Sequence, residues 1–287
     1  DADASVTDLA VLAAEAAVAD AGLTMDKIDC IIMNTITPDH ADPGSAFFLH
    51  GKLGVGNIPA FEIREQCCGL IYGMSMADHF VRAGTYRHVL VVCAEVLSKR
   101  IDGSYEGRNI SILFGDGAGA VVVGPSDDPN RGIRSTFLHA EGAKAKALYT
   151  EAPGTANGKA SFVDQDDIDK GRVYFRMIGK EVFDNGVARM CESIEESFKA
   201  NSIGFDDLAL LIPHQANLRM LEAIARRSKA PADKLFINVE EYGNMASACL
   251  PIALDQARKR GRIQPGDLIL MVAFGSGFVW SSMLVRM

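Results

Sequence analysis

Three junctions in this 287-residue sequence put a reactive or polar side chain where an apolar run gives way to a helical pattern. At Glu65-Gln66-Cys67-Cys68-Gly69 a thiol would project from a tight turn at a helix N-terminus. A helix dipole there favours thiolate, and nearby backbone N–H groups can hold an oxyanion. Two buried structural cysteines would give the same residues, and spacing does not separate the readings. Pro213-His214-Gln215-Ala216-Asn217-Leu218-Arg219 has the same order of apolar strand, polar junction and helix. A lone histidine is more often structural than catalytic, yet sites in α/β folds collect at the C-terminal ends of strands. Tyr242-Gly243-Asn244 opens a further helix, where the asparagine would serve equally well as an N-cap.

Two glycine-rich segments carry weaker signals. Ala273-Phe274-Gly275-Ser276-Gly277-Phe278 interrupts apolar strands with a turn whose backbone amides are free to approach a ligand, although hairpins commonly contain such turns. Gly115-Asp116-Gly117-Ala118-Gly119 lacks the spacing of a dinucleotide fingerprint and lies between β-like runs. It reads as structural, with Asp116 bonding the turn.

The elements that must position these residues alternate between strand and helix, which implies a layered α/β fold. A capping box at Ser5-Val6-Thr7-Asp8 and a stop at Gly22 predict a helix over Asp8–Asp20. Strands are predicted over Asp29–Asn34, Ala60–Arg64 and His88–Ala94, and helices over Ser45–Leu53 and Gly69–Ala83. Two apolar runs flank the glycines between Ser111 and Gly124, and the polar stretch Lys144–Gly171 reads as loops and cover. The second half predicts a helix over Phe175–Ala200, a strand over Leu208–Ile212, a helix over Gln215–Ser228 and a strand over Leu235–Asn238. A helix over Ala246–Arg260 and two strands between Leu268 and Arg286 close the chain. There is no exact internal repeat, and the likeness of the halves is architectural.

With 48% hydrophobic and 23% charged residues, the chain can bury a sizeable core as one large domain or two similar halves. No apolar run reaches the roughly 20 residues of a membrane span, and Asp1–Asp8 is acidic rather than signal-like, so the cytoplasm is the expected compartment. Six cysteines without zinc spacings or disulfide density read as reduced thiols. A formal charge of −8 argues against nonspecific nucleic-acid binding, and an anionic partner would need a local basic patch.

Taken together, the sequence resembles the β-ketoacyl-acyl carrier protein synthase III family, of the thiolase fold. The resemblance runs from Ser5 to Met287 and rests on Cys67-Cys68-Gly69, Arg108 before Phe114–Gly119, Met177–Phe183, Pro213–Arg219, Gly243-Asn244 and the ending Ala273–Trp280. It implies two related halves, 1–172 and 173–287, in αβαβα layers. It also implies a Cys67, His214, Asn244 triad. Cys67 would carry an acyl group as a thioester, and His214 and Asn244 would bind the thioester carbonyl while a malonyl group loses carbon dioxide. Two neutral hydrogen-bond donors suit a developing enolate oxygen, and the amides of Cys67 and Ser276 would hold the other oxyanion.

By the same resemblance Arg108, Met177, Gly179, Phe183, Ala216, Asn217, Arg219 and Phe274 line the path of a coenzyme A or phosphopantetheine thioester. Met177 and Phe183 would equally be core residues, and Arg108 a solvated loop charge. Arg219, Arg226, Arg227 and Lys229, on or just after one helix, would dock an acidic carrier protein, or form a solvated helix face. The implied substrates are acyl-CoA and malonyl-acyl carrier protein, with no metal or resident cofactor, in a homodimer. The sequence departs from the family's pattern in three places. The family's additional N-terminal segment, which supplies a first core strand, has no counterpart in this chain. Asp42 replaces a large apolar residue that lines the partner subunit's acyl pocket, and Cys68 and Leu70 replace a small residue and a phenylalanine. Two other functions remain compatible: acyl transfer to an oxygen or nitrogen nucleophile without condensation, and a non-catalytic acyl-thioester-binding module.

Overall fold

The computed structural model describes residues 3–287; Asp1 and Ala2, at the head of the acidic start, lie outside the described residues. Helix α1 (Val6–Asp20) begins at the Ser5 capping box, whose side chain accepts the Asp8 N–H while the Asp8 carboxylate accepts the Ser5 N–H. Strand β1 (Cys30–Asn34) follows, then α2 (Ser45–Leu53), β2 (Ala60–Ile63), α3 (Gly69–Arg82) and β3 (Val89–Glu95). The chain continues through α4 (Arg108–Ser111), β4 (Gly117–Val123), β5 (Gly132–Ala140), β6 (Leu148–Tyr149), α5 (Gln165–Asp169) and β7 (Arg176–Met177). Next come α6 (Gly179–Asn201), β8 (Leu210–Pro213), α7 (Leu218–Ser228), α8 (Val239–Tyr242), α9 (Cys249–Lys259), β9 (Leu268–Gly275) and β10 (Val279–Arg286).

The first sheet runs β2-β1-β3-β4, with β1 parallel to β2 and β3, and β4 antiparallel to β3. The second runs β8-β9-β10-β5, with β8 parallel to β9 and the remaining pairs antiparallel. Burial stacks five layers. Helices α1 and α2 cover the outer face of the first sheet through Ala10, Ala14, Ala46 and Leu49. Helices α3 and α9 fill the space between the sheets, where Leu70, Met74, Leu250 and Ala253 meet Val91, Ile212 and Met271. Helices α6 and α7 cover the second sheet through Met190, Ile194 and Ile224. This is the layered αβαβα arrangement expected for the fold.

The two sheets are built alike. β1, β3 and β4 correspond in order and direction to β8, β9 and β10. Strand β5, from the first half of the sequence, completes the second sheet beyond β10. Nothing among the described residues occupies the matching place beyond β4, whose outer edge is unpaired. Beside that edge an ion pair of 2.7 Å between Arg258 and Asp20 joins α9 to α1.

Four local readings are corrected. Leu235–Asn238 is not a strand: Leu235 makes a single bridge to Leu211, and the N–H groups of Asn238 and Val239 are taken by the Gln215 side chain rather than by a ladder. β5 falls where no strand was predicted, because most of its residues are only partly buried and its apolar alternation is weak. Helix α6 starts at Gly179 rather than Phe175 because Arg176 and Met177 pair with β6. Helix α7 starts at Leu218 rather than Gln215 because Asn217 caps it, its Oδ1 accepting the Met220 N–H at 2.9 Å.

Candidate active site

Cys67 lies on a single 3-10 turn, Gln66–Cys68, between β2 and α3. Gln66 has φ of +51°, a left-handed backbone that costs a side-chain-bearing residue about 1 kcal/mol or more. The turn is gripped from both sheets. Asn34, at the end of β1, accepts the Glu65 N–H at 2.8 Å and donates to the Gln66 carbonyl at 3.4 Å. From the other side the Ser276 hydroxyl donates to Gln66 Oε1 at 2.6 Å. Two glycines permit this approach: a Cβ on Gly69 would lie 2.2 Å from Asn34 Cγ, and one on Gly275 would lie 2.9 Å from the Cys67 nitrogen.

Burial pushes the Cys67 thiol well above its ordinary range, and Cys68, Cys249 and Glu95 push in the same direction. The α3 terminus acts the other way, but a helix end supplies only about 1 kcal/mol. The resting form is therefore a thiol, in place of the thiolate expected from the helix dipole alone.

His214 follows β8, its N–H donating to the Val272 carbonyl at 2.8 Å, and only 2% of its surface is exposed. The neighbouring Gln215 fixes the segment with four bonds. Its amide donates to the Pro213 and Phe236 carbonyls at 2.8 and 3.1 Å, and its oxygen accepts the Asn238 and Val239 N–H groups at 2.9 and 3.2 Å. Burial lowers His214 to about 4, so the ring is neutral at pH 7. Among the described residues His214 Nδ1 is buried without a partner. A neutral ring avoids burying an unpaired N–H, which assigns its one proton to Nε2.

Asn244 is anchored by its backbone to the segment before β4: its N–H donates to Leu113 at 2.8 Å and its carbonyl accepts the Gly115 N–H at 3.0 Å. It is not the N-cap of α9, a place held by Ala248. Its Oδ1 accepts the Ala246 N–H at 2.9 Å, which leaves the Nδ2 hydrogens as the free end. The glycines of Gly115–Gly119 make this packing possible, since a Cβ on Gly115 would lie 2.3 Å from the Tyr242 carbonyl oxygen and one on Gly117 2.5 Å from Met245 Sδ. Asp116 accepts from the Ser98 N–H and hydroxyl at 2.8 and 2.5 Å, bonding this turn to its neighbour.

Cys67, His214, Asn244 and Ser276 line one cavity of about 130 Å³ together with Met177, Gly179, Phe183, Ala216, Asn217 and Phe274. Arg108 and Arg219 are not part of its wall. Arg108 is exposed at the start of α4, its guanidinium 3.6 Å from the Tyr105 ring centre. Arg219, Arg226, Arg227 and Lys229 are exposed on α7 and just beyond it, with Arg226 3.8 Å from Glu222. Asp42 is exposed in the loop before α2. Sequence reasoning missed Gln66, Ile36, Phe114 and Phe175 in the wall, and Asn34 behind it. An asparagine closing the apolar run Cys30–Met33 was the one signal for Asn34 that the sequence offered.

Comparison with known proteins decides the family. Residues 61–142 match the family model for 3-oxoacyl-[acyl-carrier-protein] synthase III, and residues 198–287 match the model for its C-terminal part. A β-ketoacyl-[acyl-carrier-protein] synthase III of Xanthomonas campestris pv. campestris is 41% identical over 287 residues, covering 99% of this chain and 84% of the relative. The chain belongs to the β-ketoacyl-acyl carrier protein synthase III family. The crystal structure of the synthase III from Aquifex aeolicus VF5 matches with a TM-score of 0.88 at 36% identity, over 99% of this chain and 85% of that one. The synthase III from Thermus thermophilus matches with a TM-score of 0.89 at 34% identity, over 100% of this chain and 86% of that one. Within this synthase III chain no helix is long and apolar enough to cross a membrane, and no side-chain cluster suits a metal ion, among the described residues.

Proposed function

We propose that this chain condenses an acyl group with a malonyl-thioester, with Cys67, His214 and Asn244 acting as one constellation. The observation that carries this reading is the meeting of a thiol, a neutral imidazole and a free carboxamide end in one apolar cavity of a synthase III chain. Cys67 attacks the acyl-CoA carbonyl, its proton passes to the departing coenzyme A thiolate, and the acyl group remains as a thioester on Sγ. The N–H groups of Cys67 and Ser276 stabilise that oxyanion. Malonyl-acyl carrier protein then loses carbon dioxide. His214 Nε2–H and the Asn244 amide hydrogens hold the enolate oxygen; the enolate carbon attacks the Cys67 thioester carbonyl, the C–S bond breaks to release the β-ketoacyl product, and the Cys67 thiolate left behind takes a proton from water to return to the thiol.

The cations of α7 supply a surface for an acidic carrier protein, and Arg108 with Tyr105 offers a cation and an aromatic face to the outer part of coenzyme A. The exposed outer edge of β2, which carries Phe61, supports a homodimer. Intact mass after incubation with acyl-CoA tests the first step. Cys67→Ala should abolish the adduct and Cys68→Ala should retain it; an adduct lost on substituting Cys68 would overturn the assignment. Release of labelled carbon dioxide from malonyl-thioester separates condensation from plain acyl transfer.

A further inference from the structure

Glu95 ends β3 with no exposure to solvent. Its Oε2 accepts the Ile36 N–H at 2.9 Å and the hydroxyls of Thr37 and Thr35 at 3.1 and 3.3 Å. Its Oε1 accepts the Ser247 hydroxyl at 2.5 Å. No cation lies within ion-pair distance of it among the described residues, and Arg100 acts on it only from farther off. A buried carboxylate without a contacting cation is costly, and here four donors aimed at it hold it in place.

These donors come from both halves of the chain and border the cavity on two sides. Ile36 is part of its wall. Ser247 belongs to the 3-10 turn Ala246–Ala248, whose first residue holds Asn244 Oδ1 and itself has a left-handed φ of +44°. The turn that aims the Asn244 amide is thus strained, and the Glu95 carboxylate pins it through Ser247.

We propose that Glu95 is a positioning residue for the condensation step: its carboxylate, through Ser247, fixes the turn that presents the Asn244 amide to the cavity. The inference rests on Asn244 being an enolate donor, as argued above.

The charge on Glu95 should show in the rate. Burial raises its carboxyl to about 7. The other groups facing it are Cys93 on its own strand, Cys67, Cys249 on α9 and Arg100 beyond β3. Burial pushes all three thiols upward, so none of them ionises near pH 7. The carboxylate accepts from all four donors, whereas the protonated acid must itself donate and compete with one of them.

The test uses protein already acylated at Cys67, so that thiol ionisation does not enter, and follows carbon dioxide release from malonyl-thioester between pH 5.5 and 8.5, a range chosen to span about 7. The parent rate should rise through about pH 7. Glu95→Gln should still acylate fully at Cys67, release carbon dioxide from the acylated protein roughly 10–100-fold more slowly, as a small misplacement of a donor does, and show no rise near pH 7. Ser247→Ala, which keeps the carboxylate and serves if the first variant folds poorly, should lower the same rate without lowering acylation. Adding Glu95→Gln to Asn244→Ala should cost nothing further, because both act through one group. Parent-like rate and pH dependence in Glu95→Gln, or effects that add in the double variant, would overturn the proposal. Parent-like release in Asn244→Ala would instead overturn the reading on which it rests.

Discussion

His214 and Asn244 are prepared as donors by what their other atoms do. The unpartnered, buried Nδ1 leaves the histidine proton on Nε2, and the Ala246 N–H turns the Asn244 carboxamide so that its hydrogens are free. His214→Ala and Asn244→Ala should therefore both accept an acyl group on Cys67 and lose condensation by roughly 10²–10³-fold, measured as carbon dioxide release. The histidine also shapes stability. Its pKa falls from 6.5 to about 4 on folding, so its contribution is complete above pH 6.5 and is lost as pH falls toward 4. Glu95 works with the opposite sign: raised from 4.5 to about 7, it is best accommodated in acid and weakens the fold as pH rises through that interval. The two slopes offset between pH 4.5 and 6.5. Glu95→Gln removes one of them, so melting temperatures recorded across that range should fall more steeply toward acid than those of the parent. Parallel curves would show that the two groups are not linked to folding in this way.

At the scale of elements, the junctions holding Cys67 and His214 were legible because each breaks a strand with a polar turn before a helix, whereas Asn244 follows the short helix α8 and was legible only through the family resemblance. Helix α2 was legible to its last residue, since Gly54 stops it in the left-handed conformation that glycine adopts readily. Gln215 was not legible as a structural staple. Nothing in the sequence marks a polar side chain that replaces a strand's ladder, and for that reason Leu235–Asn238 read as a strand. Asn34 and Glu95 escaped similarly, because buried polar residues declare their roles only through partners distant in sequence. Gln215→Ala removes four bonds to buried backbone groups and should destabilise the protein by about 2–4 kcal/mol. Denaturant unfolding would measure this, and a loss below about 1 kcal/mol would show that the freed backbone finds other partners.

Across the whole molecule, the α3 and α9 layer belongs to both sheets: Leu70, Met74, Leu250 and Ala253 pack in one cluster with strands of each. Neither half can bury its inner face alone, so calorimetry should show one unfolding transition; two separated transitions would contradict a shared core. The left-handed backbone of Ala246, with φ of +44°, is a place where the fold gives up stability to aim a donor, since the same residue's N–H holds Asn244 Oδ1. Glycine adopts that backbone without strain. Ala246→Gly should therefore keep or raise the melting temperature while slowing carbon dioxide release, and a variant that melts lower and condenses as fast as the parent would contradict the trade.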